Sequence, residues 1–177
     1  MIISSPKWDS IKNNSKDFYV ICEDINMSLF KVALLQMTSA GTKEENLHKG
    51  VEFCRNAKAM GADLALFPEM WNNGYSFSYD MEVMERNSED QDGLFVNTFK
   101  ELAAELEMAI AVTYLEKYKP LPRNTVTVFD RHGRNVLTYA KVHTCDFDIE
   151  KNLTPGDEFY VTELDTENGK VNIGAMI

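Results

Sequence analysis

The sequence predicts an α/β fold, and three observations carry that prediction. Between residues 31 and 67 an apolar run, a capped helical segment and a second apolar run follow one another, the pattern of a βαβ unit. A second round of helix and strand spans residues 95–115. From residue 125 onward, pairs of apolar runs joined by turn residues replace the helices, as in antiparallel hairpins.

Taken in order, Lys31–Met37 is an apolar run of strand length. Thr42 and Glu45 have the spacing of a capping box, in which hydroxyl and carboxylate each satisfy an orphan backbone amide. Leu47, Val51, Cys54 and Ala57 then fall on one helical face, and Gly61 closes the helix by accepting a left-handed conformation. Asp63–Phe67 reads as a strand buried on both faces. Phe95, Phe99, Leu102, Ala103 and Leu106 mark a second helix, and Ala109–Leu115 a further strand. Beyond the loop at Pro120 and Pro122, Thr125–Phe129 and Val136–Val142 bracket a turn at residues 130–135. Strands near 159–164 and 170–177 are joined across Asn168-Gly169, a strong turn dipeptide.

That last run, Val171-Asn172-Ile173-Gly174-Ala175-Met176-Ile177, is apolar, and an apolar strand needs a covering layer. Residues 30–177 are therefore expected to form a partial domain. Residues 1–29 are polar and aperiodic, and are expected to be a loosely ordered extension, with Met27 as an alternative start.

Eighteen Lys and Arg stand against 28 Asp and Glu, a formal charge of −10. Phosphate-tracking nucleic-acid partners require a basic face, so this balance argues against them. No apolar run is long enough to span a membrane, and the first residues lack the apolar core of a secretory leader. Cys22, Cys54 and Cys145 are odd in number and form no paired spacing, which suits a reducing compartment; a cytoplasmic location is expected. No zinc spacing, dinucleotide fingerprint or phosphate-binding loop occurs.

Glu69 follows Pro68 at the end of a buried strand, where a rigid sheet positions a side chain and the next loop stays open. Pro68 restricts Phe67 to extended geometry and fixes the exit direction. Lys141 likewise ends an apolar stretch. The runs Phe67-Pro68-Glu69-Met70-Trp71-Asn72-Asn73-Gly74-Tyr75, Tyr139-Ala140-Lys141-Val142-His143 and Gly174-Ala175-Met176-Ile177 together resemble the carbon–nitrogen hydrolase (nitrilase) superfamily over residues 31–177.

The resemblance implies an α-β-β-α sandwich, incomplete here at the C-terminus, and a catalytic set of Glu, Lys and Cys. Glu69 corresponds to the general base and Lys141 to the cation that stabilises the oxyanion. The family's nucleophilic Cys follows the strand matching Gly174–Ile177, so this chain is expected to stop one residue short of it and to be inactive alone. Glu150 is the candidate for a second glutamate that positions substrate and lysine. Trp71, Asn72 and Tyr75 are candidates for the substrate pocket, with core packing as the other reading of Trp71.

The implied reaction is hydrolysis of a nonpeptide C–N bond in a small amide, carbamoyl compound or nitrile, without cofactor or metal, in a homo-oligomer. A noncatalytic paralogue acting through association is the alternative. Two rival readings are weaker. Lys141, His143 and Cys145 would share a strand face, but side chains two apart project in parallel rather than pairing. Asp146, Asp148, Glu150 and Asn152 have calcium-loop spacing, but Lys151 occupies the glycine position and Asp157 the final glutamate position.

Overall fold

A computed structural model describes residues 29–76, 78–145 and 149–177. The expected extension therefore lies, but for Leu29, outside the described residues. Strand β1 (Val32–Leu34), helix α1 (Lys43–Ala59) and strand β2 (Leu64–Leu66) form the anticipated βαβ unit, with β1 and β2 parallel. Helices α2 (Met81–Asn87) and α3 (Leu94–Leu106) lead to β3 (Ala109–Glu116), which is parallel to β2. Strands β4 (Arg123–Phe129) and β5 (Asn135–Ala140) then add in antiparallel order. The result is one five-stranded sheet in the order β1-β2-β3-β4-β5. Strands β6 (Val161–Thr166) and β7 (Gly169–Gly174) make a separate two-stranded sheet.

Side-chain alternation assigns the two faces of the large sheet. Ala65, Phe67, Ile110 and Val112 pack against α1 and α3 through Cys54, Ala57, Phe95, Phe99 and Leu102. The opposite face presents Leu64, Ala111, Val126, Val128, Leu137 and Tyr139 to Leu164, Val171 and Ile173 of the hairpin. Helices, sheet and hairpin are thus three successive layers, a mixed α/β arrangement. Among the described residues no helix is long and apolar enough to cross a membrane.

The local signals at α1 are present as read. Thr42 Oγ1 accepts from the Glu45 amide at 3.1 Å, and the Glu45 carboxylate accepts from the Thr42 amide at 3.2 Å. Gly61 has φ +78° just past the helix end. The buried face is rotated from the expected one: Asn46, Gly50, Cys54 and Ala57 are innermost, with Leu47 and Val51 at its margin. Gly50 explains the rotation, because a Cβ there would lie 2.8–2.9 Å from Phe67, Phe99 and Trp71. Helix propensity alone favours Gly50→Ala by roughly 1 kcal/mol. Overpacking opposes it, and a net loss of about 1–2 kcal/mol is expected in urea unfolding; a more stable variant would show that the rings yield.

Two elements differ from expectation. Helix α2 is too short to show a periodicity; its sequence mark is Asp80, whose carboxylate accepts from the Glu82 amide at 2.9 Å as the N-cap. Strand β7 ends at Gly174 rather than Ile177, because its partner β6 begins at Val161, the residue paired with Gly174.

Candidate active site

Glu69 is delivered by the C-terminal end of β2. Phe67 continues the pairing with β3 by donating to Ala111 O at 3.2 Å, and Pro68 O accepts from the Thr113 hydroxyl. The loop beyond is held from inside the protein. The Trp71 amide donates to Thr113 Oγ1 at 3.2 Å, and the Trp71 indole N–H donates to Asn46 O at 3.0 Å. Asn72 accepts from the Leu115 amide at 2.9 Å and donates to Asn87 O at 3.0 Å. Met70 and Tyr75 take left-handed φ values of 49° and 60°, strained for residues with side chains. Met70 O fixes that geometry by accepting from the Asn73 and Tyr75 amides at 3.2 and 3.3 Å.

Lys141 extends the β4–β5 pairing by one residue, its amide donating to Asn124 O at 2.8 Å. Its side chain is buried, and Nζ lies 3.2 Å from Glu69 Oε1 and 2.8 Å from Glu150 Oε1. Glu150 stands in a single 3₁₀ turn, Ile149–Asn152. Its Oε1 also accepts from the Tyr75 hydroxyl at 2.6 Å, and its Oε2 from the Cys145 amide at 2.8 Å. Asn124 completes the cluster, donating from Nδ2 to Glu69 Oε1 at 2.6 Å.

The structure thus brings Glu69, Lys141, Glu150 and Tyr75 together. Trp71 and Asn72 are 1% and 0% exposed and brace the loop from within, which is the core-packing reading of Trp71. Asn124 was not singled out from sequence; its one signal is an amide among the Thr and Val residues of β4. Asp146 and Asp148 lie outside the described residues. His143 lies against Phe159 with ring centroids 6.3 Å apart, while the Cys145 amide donates to Glu150 Oε2 and Glu150 is the main influence on the thiol, so His143 and Cys145 do not form a nucleophile–base pair. Cys54 is sealed in the core, where burial pushes its thiol up to about 12 and makes it inert.

The charges are mutually adjusted. Burial alone would lower the Lys141 ammonium, but its hydrogen bond to Glu150 and the charge of Glu69 outweigh that and hold it above the ordinary lysine value. Burial would raise Glu150, yet the hydrogen bonds from Lys141, the Tyr75 hydroxyl and the Cys145 amide hold its carboxyl at about 2. Burial and the hydrogen bond to Glu150 push the Tyr75 phenol up. The hydrogen bond to Glu150, then burial, raises the Cys145 thiol, which keeps it protonated and weakens it as a nucleophile.

A pH dependence follows from Glu150. Its folded pKa is depressed, so its stabilisation is complete above the ordinary carboxylate range and is lost as pH falls through that range towards about 2. The stability advantage of the wild type over Glu150→Gln should therefore shrink between about pH 5 and pH 2. Urea midpoints of both proteins across that window check this; a constant difference would contradict the ionised, hydrogen-bonded state of Glu150.

Two carboxylates on one buried ammonium, at the exit of a parallel strand, define a site built for acid–base and electrostatic work around a small polar group. The model of the carbon-nitrogen hydrolase family matches residues 31–177, and the chain belongs to that family. It is 29% identical over 160 residues to nitrilase homolog 2 of Dictyostelium discoideum, covering 84% of this chain and 46% of that protein. It is 28% identical over 156 residues to the omega-amidase NIT2 of Homo sapiens, covering 84% and 55%. Among solved structures, an amidase from Nesterenkonia sp. superposes with a TM-score of 0.69 at 22% identity, covering 83% of this chain and 54% of that one. Saccharomyces cerevisiae Nit3, a member of the nitrilase superfamily, superposes with a TM-score of 0.62 at 24% identity, covering 80% and 53%. The structural likenesses establish the fold. The chain spans about half the length of the curated relatives it matches.

Proposed function

We propose that residues 31–177 supply the general base and the oxyanion cation of a hydrolase acting on nonpeptide C–N bonds in small amides, carbamoyl compounds or nitriles. The observation that carries this reading is Lys141 Nζ held between Glu69 and Glu150 at 3.2 and 2.8 Å. For an amide, Glu69 takes the proton of a cysteine thiol as the sulfur attacks the carbonyl carbon. Lys141 faces the oxyanion that forms, a contribution of roughly 3–4 kcal/mol for a well-placed donor. The C–N bond breaks as Glu69 returns the proton to the leaving amine. Glu69 then deprotonates the water that resolves the thioester, and the thiol is regenerated.

In this reading the nucleophile is a cysteine placed just beyond the segment matching Gly174–Ile177, and residues 1–177 alone do not turn over substrate. The amidase names among the relatives favour small amides. The protein is read as a cytoplasmic homo-oligomer that needs no cofactor. A noncatalytic protein acting through association is the alternative.

The test is ammonia release from a panel of small amides and carbamoyl compounds. The complete gene product should be active, and Glu69→Gln or Lys141→Ala should lower kcat by at least about 100-fold. Residues 1–177 alone should be silent. Turnover by residues 1–177 that disappears in Cys145→Ala would overturn this reading and make Cys145 the nucleophile. Inactivity of the complete gene product on every substrate would favour the noncatalytic alternative.

A further inference from the structure

We infer that Asn124 is a positioning residue that fixes which oxygen of Glu69 acts as the base. This rests on the reading of Glu69 as the general base. Asn124 is 1% exposed, on β4 directly beside β5, whose pairing Lys141 extends. Its Nδ2 lies 2.6 Å from Glu69 Oε1, the same oxygen that Lys141 Nζ reaches at 3.2 Å. Among the described residues the other carboxylate oxygen, Oε2, accepts no hydrogen bond, and the Glu69 side chain is 36% exposed. Two donors therefore hold one oxygen and leave its partner without a donor among the described residues.

The amide can face only one way. Turning it over would set Asn124 Oδ1 against the carboxylate, lone pair against lone pair. With Nδ2 on Glu69, Oδ1 is buried with no hydrogen-bond partner among the described residues. An orphaned acceptor is unfavourable, and a packing position is better served by an apolar side chain. The strand does not need the amide either, since Asn124 joins the sheet through its backbone, pairing with Leu115 and accepting from the Lys141 amide at 2.8 Å. What the side chain gains at this cost is the charge-assisted bond to Glu69.

A carboxylate free to rotate presents either oxygen, and to Lys141 as readily as to an incoming proton donor. Pinning Oε1 from two sides removes that freedom. Proton transfer at Oε2 then starts from one geometry, with the ammonium already clear of the proton's path. Asn124 touches no reacting atom; it acts through Glu69.

The test has two arms, both with Asn124→Asp, which preserves shape but replaces the donor by a carboxyl. In the 177-residue chain, carbon-13 NMR of labelled Asp and Glu carboxyls should show one carboxyl that titrates well above the ordinary range, because two carboxylates at this separation share a proton. Asn124→Asp/Glu69→Gln should shift that titration back down; an identical titration in both variants would overturn the contact and the inference with it. In the complete gene product, Asn124→Ala should lower kcat about 10–100-fold with little change in KM. Asn124→Asp should in addition move the pH–rate profile towards acid, where the new carboxyl can still donate. A profile lowered but not displaced would assign Asn124 a merely structural role. A wild type without amidase activity would remove the proposed reaction, while the NMR arm would still decide whether Asn124 pins Glu69.

Discussion

Glu150→Ala is expected to destabilise the 177-residue chain by about 3 kcal/mol, a large effect for one surface-remote carboxylate. Glu150 is 2% exposed, and three groups donate to it: the Lys141 ammonium, the Tyr75 hydroxyl and the Cys145 amide. Truncation leaves Lys141, among the described residues, with Glu69 at 3.2 Å as its one carboxylate, and removes the acceptor that Glu150 offers to the Tyr75 hydroxyl and the Cys145 amide. Removing one member of a buried pair costs roughly 3–5 kcal/mol, and the surviving Glu69 contact places this case at the low end. Glu150→Gln keeps one acceptor but turns an amide group onto existing donors, so about half of the loss should return. Urea unfolding measures both, and an alanine variant within about 0.5 kcal/mol of wild type would mean that the cluster is solvated rather than buried.

Trp71→Ala should be at least as damaging, at about 3–5 kcal/mol. The indole is 1% exposed, lies 6.0 Å from the Phe67 ring, and donates its N–H to Asn46 O on α1. Its removal leaves a cavity where loop, helix and sheet meet, and takes the indole donor from the Asn46 carbonyl. Trp71→Phe keeps most of the volume and should cost only about 1–2 kcal/mol, mainly the lost hydrogen bond. Because Trp71 stands two residues after Glu69, Trp71→Ala should also loosen Glu69: added to Asn124→Asp, it should weaken the raised carboxyl titration described above. Equal stability of the alanine and phenylalanine variants would show that packing at this position is not what holds the loop.

Glu69 and Lys141 were picked out through the family resemblance of the runs around them, which their local settings, a carboxylate after Phe-Pro at a strand exit and a lysine closing an apolar strand, only supported; the structure sets the two side chains 3.2 Å apart. The alternation of elements was legible directly, since periodicity, the Thr42 cap and Gly61 act within a few residues. Glu150 was reachable only through family resemblance, since its partners Lys141, Tyr75 and Cys145 come from separate loops. Whether Trp71 and Asn72 turn inward is decided by Asn46, Thr113 and Leu115, which are distant in sequence, so the loop pattern alone left it open. Asn124 was hidden by its neighbours. In a strand reading Asn-Thr-Val-Thr-Val, a polar side chain gives no sign that it faces a carboxylate rather than solvent.

Two carboxylates around one ammonium give the cluster of Glu69, Lys141 and Glu150 a resting charge of minus one. In the proposed reaction the first proton moves from sulfur to Glu69, so the negative charge changes place but the total does not change. At that moment Glu69 stops being an anion, and a lysine paired with it alone would be left uncompensated in a buried site. Glu150 remains ionised beside it throughout. The second carboxylate thus keeps a counter-charge on Lys141 over the whole cycle, and the desolvation of Lys141 is balanced once, on folding, rather than again at each turnover.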